Sequence, residues 1–497
     1  MHVTFLCHSS FVIEAGKNIV LFDPWLKGPA YHKQWYLYPQ PEDISLAEKA
    51  DIIIYSHGHE DHMHPASMDL LNKKAKVFFP FQWRAGIKKY FNYKGFTDCT
   101  EALNFKTYEI NDVKITFLGY SLESVIVVEY KGEVLVNIND ALNSNHENAT
   151  EYLLKKIKEK WAKIDYLYSG WSGASYFPNK VKYKNKNDVE VGKIREQFFA
   201  HNFCKFSNYL NPKTAIPFPP GFVLLSEENQ WINEVKFDRE IVPDYYKEHF
   251  STNTVINFLF PYPNDLIVSH TLTKNSRMHG LSKEEITKDY KTIYAKEIIE
   301  AQKIAYVDSN YVTELEKKLN YWLNKNKILY SETVLKDAFF SIELTDTLPT
   351  KFIHVWYEGK KFKTKISESD LKDKKVSIRT KAILISYSLS KVWGGDALTI
   401  GYGVNIEMYD ELSLEKNLDI VCVRLITRYP MARKDFFRFP ARAFKYYMKS
   451  PSIATLWLKQ KITLKPYVNK FPFNERDHWI SYNKCDLCKV CKIPEVF

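Results

Sequence analysis

What this chain has little of already narrows its class. No apolar run approaches the roughly 20 residues that span a bilayer, and the start, MHVTFLCHSSFVIE, alternates like a strand where a leader would be charged and then greasy. A cytoplasmic protein without a membrane span is expected. Cysteine is scarce, seven in 497 residues with four scattered singly, which is no disulfide framework, so reduced thiols are the default. Internal repeats and low-complexity tracts are absent, and no recognised nucleic-acid module occurs, so DNA is not an expected partner.

What is present suits a folded protein with more than one core: 45% of residues are hydrophobic and 26% charged. The formal net charge of +11 bears on partners rather than on fold. Most of the excess is dispersed lysine. The local exception is RYPMARKDFFRFPARAFKYYMK, residues 428–449, where cations interleave with rings. Such a pattern can stack on bases, but a solvated helix with its aromatic face in the core is the favoured reading. Oligomeric state is not legible.

Residues 1 to about 230 alternate strand-like and helix-like segments, as α/β layering does. VIVVEY and EVLVNI flank Lys131 and Gly132, a hairpin signal. ENATEYLLKKIKEKWAKI and VGKIREQFFAHNFCKFSNYL carry apolar residues at spacings of three and four. From 282 to 325 the pattern turns helical, opening on a Ser and Glu capping pattern. Beyond about 336 the order is strand, hairpin, strand, helix, Gly-rich turn, strand, an α+β pattern that in outline resembles small sterol-carrier-type domains. The expected division is therefore a first domain at 1–275, a helical connector at 276–335, an α+β domain at 336–480 and a cysteine-containing tail at 481–497.

The chemistry concentrates in SHGHEDHMHPAS, residues 56–67, directly after the apolar run IIIY. In an extended stretch His57 and His59 project the same way, and a helix starting near residue 60 would turn Asp61 and His62 towards a neighbouring point. Two ligand pairs for two adjacent metals result, with Gly58 permitting the tight backbone. Imidazole and carboxylate donors of this kind suit zinc or iron with a coordination position left open. Four histidines with an interposed aspartate at this spacing are not an ordinary polar loop. A second cysteine signal lies at the tail: Cys485, Cys488 and Cys491 have metal-type spacing, for zinc or an iron–sulfur cluster, but three thiols do not close a tetrahedral site.

Residues 56–62 match the His-x-His-x-Asp-His motif of the metallo-β-lactamase superfamily, and CHSSFVIEAGKNIVLFDPWL resembles its first hairpin. The resemblance implies an αββα sandwich. It also implies that His57, His59, Asp61 and His62 are metal ligands, that Asp140 of VNIND is the bridging acid, and that Asp23 supports the turn, with His64 outside the motif in a supporting place. LFDPWLKGPAYHKQW, VIVVEYKGEVLVNINDA, SGWSGASYFP, LNPKTAIPFPPGFV and VWGGDALTIGYG follow one another as in the CMP-N-acetylneuraminate hydroxylase group. Members of that group join a Rieske domain to a metallo-β-lactamase-like domain and use iron and dioxygen to hydroxylate the N-acyl group of a nucleotide sugar. Departures accompany the likeness. No Cys-x-His followed by Cys-x-x-His occurs, so the electrons are expected from a separate protein. The histidine expected before VIVVEY is replaced by GYSLES, which makes Tyr120 or Glu123 a substitute, and the last histidine gives way to Pro219 and Pro220, with Glu227 or His201 as weak candidates.

Three functions stay open on the sequence. The first is an oxygenase or hydroxylase holding one or two irons and acting on an anionic, nucleotide-linked sugar or a related biosynthetic intermediate, with Lys27 and the turn Gly173, Ala174 and Ser175 placed to meet the substrate. The second is a hydrolase in which zinc or manganese lowers the pKa of water and Asp61 orients the nucleophile. The third is a binding module with a degenerate metal site. Fold alone does not choose among them.

Overall fold

The computed structural model describes residues 1–81, 86–119, 123–143, 147–176, 179–182, 187–218, 221–236, 238–250, 255–391, 393–409 and 418–428, with isolated positions up to 455. Tyr120, Pro219, Pro220, the cysteines Cys485, Cys488 and Cys491, and most of the basic and aromatic stretch 428–449 lie outside the described residues.

The first half is two sheets face to face. One has eight strands, in the order Thr271–Thr273, Leu266–Val268, His2–Cys7, Ser10–Ala15, Asn18–Phe22, Ile52–Ile54, Lys76–Pro80 and Cys99–Ala102. The other has seven: Asn257–Phe258, Thr214–Phe218, Tyr166–Gly170, Glu133–Asn139, Ser124–Tyr130, Val113–Gly119 and Thr107–Ile110. Strand alternation sorts the side chains. Phe11 and Ile13 enter the core between the sheets, whereas Val12 between them faces the helices outside. That inter-sheet core joins Phe5, Phe22, Ile54 and Phe78 to Ile115, Ile126, Leu135 and Ile216. Ala47, Met68 and Phe91 cover the outer face of the first sheet, and Leu153, Leu154 and Phe206 cover the second. The layering is αββα. The hairpin at Lys131 and Gly132 is present, with Tyr130 opposite Glu133 and both turn residues at positive φ, the tight turn that right-twisted strands favour.

The strands that matter for chemistry are parallel. Ile52–Ile54 lies between Asn18–Phe22 and Lys76–Pro80, and Glu133–Asn139 runs parallel with Tyr166–Gly170. Their carboxyl ends open on one edge of the sandwich, the edge at which open α/β sheets place ligands.

Helix Lys283–Ile293 opens on a Ser282 and Glu285 capping box, then breaks at Tyr294, whose hydroxyl donates to the Leu37 carbonyl, before resuming as Ala295–Gln302. Helix Ser309–Asn326, which falls inside the connector expected from sequence, places Leu315, Leu319 and Leu323 in the core of the later sheet. That sheet has five strands, in the order Lys361–Ser367, Lys351–Glu358, Phe340–Leu344, Val376–Thr380 and Asn405–Met408. It joins the first half directly. Val181 bridges Ile406, and the Tyr176 amide donates to the Thr399 carbonyl at 2.8 Å. No helix among the described residues is long and apolar enough to cross a membrane.

Candidate metal centre

The apolar strand Ile52–Ile54 runs on into the buried Tyr55 and Ser56, and its next residues are fixed by Asp23 at the end of the neighbouring parallel strand. Asp23 sits at φ 37 and is fully buried. Its Oδ1 accepts the Ser56 amide at 2.7 Å and its Oδ2 accepts the Ser56 hydroxyl at 2.7 Å. Ser56 Oγ in turn lies 2.9 Å from His57 Nδ1. The chain then turns at residues 60–62, with the amides of His62 and Met63 donating to the His59 carbonyl. No helix starts near residue 60, contrary to the sequence expectation. It starts at Pro65, because proline suits a first helical position and the His64 side chain accepts the Ser67 amide ahead of it. His64 is buried, with Nε2 3.2 Å from the Pro29 carbonyl, and so braces the turn that carries Lys27.

The donors separate into two groups, each with ligand atoms within 4.8 Å of one another: His57, His59 and Asp140, and His8, Asp61 and His62. Asp140 links them, its Oδ2 lying 3.7 Å from His57 Nε2 and 3.3 Å from His62 Nε2. Asp61 Oδ2 is 3.4 Å from the same His62 nitrogen. Asp140 is 44% exposed at its side chain and His59 is half-buried, while His57 and His62 are buried, so the cluster opens to solvent on that side. Asp61 is held at both oxygens. The Tyr31 hydroxyl donates to Oδ1, and His8 Nε2 lies 2.9 Å from Oδ2. Tyr31 heads three successive residues at positive φ, with His32 and Lys33, in a turn anchored by its own amide donating to Glu60 at 2.8 Å.

These residues fit a divalent cation. His62 Nε2 is buried without a hydrogen-bond partner, and Asp23, Asp61 and Asp140 surround that ring. Burial opposes charge on His62, but Asp61 first and then Asp140 and Asp23 outweigh it and raise its pKa well above the usual histidine range. The same field would stabilise a bound cation. Burial pushes Asp61 up, yet His62 and His8 hold it well below the usual carboxylate range. Burial, with His62 and His59 beside it, keeps His57 well below the histidine range and hence neutral, the state a ligand needs.

The remaining residues singled out from sequence are dispersed. Glu123 is buried just ahead of Ser124–Tyr130 and belongs to neither donor group. Lys27 is exposed. Gly173 is packed where a Cβ would come within 2.0 Å of Phe199, and its carbonyl accepts Arg195 at 3.0 Å, while Ala174 and Ser175 are half-buried beside it. His201 lies against Tyr245, in a separate cluster. Asp396, between the last two strands of the later sheet in sequence, has its pKa pushed up to about 8 by burial and then by Asp61 and Glu60.

Sequence reasoning missed His8, Tyr31 and Asn139. Asn139 donates to Asp23 and, at 2.8 Å, to Ser56 Oγ. The signal for His8 was its place at the end of the first strand, in CHSS. Tyr31 carried none.

Residues 2–163, which carry every His and Asp donor of the two groups, match the family model described as "Beta-lactamase superfamily domain". The chain is also similar to the cytidine monophosphate-N-acetylneuraminic acid hydroxylase of Xenopus laevis, 26% identical over 266 residues, 48% of this chain and 41% of that protein. The match thus spans less than half of the curated relative. Among solved structures, CmlA, a diiron beta-hydroxylase from Streptomyces venezuelae, aligns at 16% identity over 50% of this chain and 52% of that one, with a TM-score of 0.35. A possible metal-dependent hydrolase from Veillonella parvula aligns at 12% identity over 54% and 97%, with a TM-score of 0.36.

Proposed function

We propose that this chain is a metal-dependent hydroxylase that uses iron and acts on an anionic substrate of the nucleotide-sugar kind. One observation carries the metal: five side chains from two sheets, His57, His59, Asp61, His62 and Asp140, turn their donor atoms to one another around the buried His62 Nε2, which faces two carboxylates without a hydrogen bond. The choice of hydroxylation rests on the likeness of half the chain to hydroxylases of an N-acetylated nucleotide sugar.

When bound at His57, His59 and Asp140, and at Asp61 and His62, iron would supply the activation of dioxygen. The chain's own part is positional. Asp23, through Ser56, fixes the His57 ring, and Tyr31 fixes Asp61 by its outer oxygen. Asp140, the exposed member, marks where substrate enters. Lys27 is suited to an anionic group by charge, and the half-buried Ala174 and Ser175 are candidates for its recognition. The electrons come from a separate protein.

Purification without air, metal analysis and dioxygen uptake with a supplied reductant test this reading. Iron at one or two per chain and uptake abolished by His57→Ala are expected. Zinc or manganese without uptake would move the function to hydrolysis, and a chain that takes up no metal would be a binding module.

A further inference from the structure

His8 stands where a third ligand beside Asp61 and His62 would be sought, with Nε2 2.9 Å from Asp61 Oδ2 and its ring centroid 5.7 Å from that of His62. Its other nitrogen decides what it can do. Nδ1 receives the backbone N–H of Gly221 at 3.1 Å. An amide N–H only donates, so Nδ1 carries a lone pair, and the single proton of a neutral imidazole must be on Nε2. A protonated Nε2 offers no lone pair to a metal.

The other rings have the opposite polarity. A ligating histidine normally donates from its second nitrogen to a carboxylate, carbonyl or hydroxyl. His57 Nδ1 meets Ser56 Oγ, itself tied to Asp23, and His62 Nδ1 lies 3.1 Å from Ser9 Oγ, 3.4 Å from Asp23 Oδ2 and 3.2 Å from Asn139 Nδ2, whose two protons are directed to Asp23 and Ser56. His8 alone among these three has a backbone donor in that place. Little can relax the arrangement. His8 is at φ 45, and a Cβ on Gly221 would fall 2.5 Å from His8 N and 2.7 Å from its Cα, so the two backbones are pressed together. Trp25, Trp35 and Phe222 collar the ring at centroid distances of 5.2, 6.2 and 6.2 Å. Moving the proton to Nδ1 would set two N–H groups against each other and strip a buried amide of its acceptor.

We infer that His8 is no ligand but a proton-bearing donor, aimed at Asp61 and at a coordination position that the protein leaves open beside Asp61 and His62. This rests on the metal-centre reading above. His8 holds its proton at Nε2 for Asp61 or for a substrate oxygen entering there.

Cobalt(II) is the probe: full-length protein, His8→Ala, His8→Gln and His62→Ala are loaded with it and the metal counted by mass spectrometry alongside the visible d–d bands. Both His8 variants should keep the wild-type count and band positions, and His62→Ala should lose one ion. A lost ion or altered ligand-field bands in His8→Ala would overturn the inference. Full retention in His62→Ala would instead sink the metal-centre reading. Wild-type protein labelled with 15N-histidine gives a check independent of any variant's folding: long-range 1H–15N correlations, assigned with His8→Gln, should show Nε2 protonated and Nδ1 bare with and without zinc. A protonated Nδ1 in the zinc-loaded protein refutes it.

Discussion

At the scale of single residues, the metal edge depends on small polar groups that serve carboxylates. Asn139, at φ 52, gives Nδ2 to both Asp23 and Ser56, so Asn139→Ala removes the donor from a buried carboxylate and leaves a side-chain residue in a left-handed conformation. A loss of about 1–3 kcal/mol is expected, read as a lowered urea midpoint, together with weaker metal uptake because Ser56 no longer orients His57. Tyr31→Phe keeps the ring against Trp35, 4.9 Å away, but frees Asp61 Oδ1. It should weaken cobalt binding by about tenfold, at the lower end of what outer hydrogen-bond partners contribute to metal affinity, and lower stability by about 1–3 kcal/mol as a buried carboxylate loses a donor. Titration gives a further handle. Burial lowers His201 to about 3, with Lys205 and His249 adding to the effect. Its folded pKa lies below the unfolded value near 6.5, so the unfolded chain binds more protons between those pH values and stability falls as pH drops through that window. Urea titrations from pH 7 to pH 4 should show that fall, and His201→Gln should flatten it.

At the scale of elements, what was legible in the sequence was whatever a strand or helix writes locally. Alternation at Phe11, Val12 and Ile13, the turn at Lys131 and Gly132, and the capping box at Ser282 and Glu285 are signals within a few residues, and each element forms. The His57–His62 motif is equally local. His8 and Tyr31 reach Asp61 across 53 and 30 residues, and no spacing rule reports such meetings. The start of the short helix at Pro65 was misplaced because the run of donors masked a proline at its first position. Close backbone approaches are likewise invisible before folding. Gly221 is the sharpest case: Gly221→Ala would drive a methyl group into the His8 backbone, separating strand Phe222–Leu224 from the end of His2–Cys7. A drop of several degrees in Tm and loss of metal uptake together are expected, measured by calorimetry and metal analysis.

At the scale of the whole molecule, residues between the last two strands of the later sheet in sequence pack beside the site. Arg195 donates to the Gly173 carbonyl and, at 3.1 Å, to the Tyr402 hydroxyl, His32 stacks on Tyr387 at 4.3 Å, and Gly401 would place a Cβ 3.1 Å from that of Tyr31. Arg195→Ala removes one cation, 3.8 Å away, from the buried Glu196, which keeps the field of Lys236, and takes a donor from the Gly173 carbonyl; it should cost about 1–3 kcal/mol. Thermal unfolding should still show one transition, because both halves share the damaged contact.

The bridge between Val181 and Ile406 has a further consequence. Strand Asn405–Met408 ends its sheet, and the short stretch around Val181 covers its outer side, with the amides of Lys182 and Ile406 donating across the junction. An uncovered strand edge is a template for self-association. A C-terminal half expressed alone would present that edge bare and should deposit as aggregates, whereas co-expression with residues 1–275 should return it to solution.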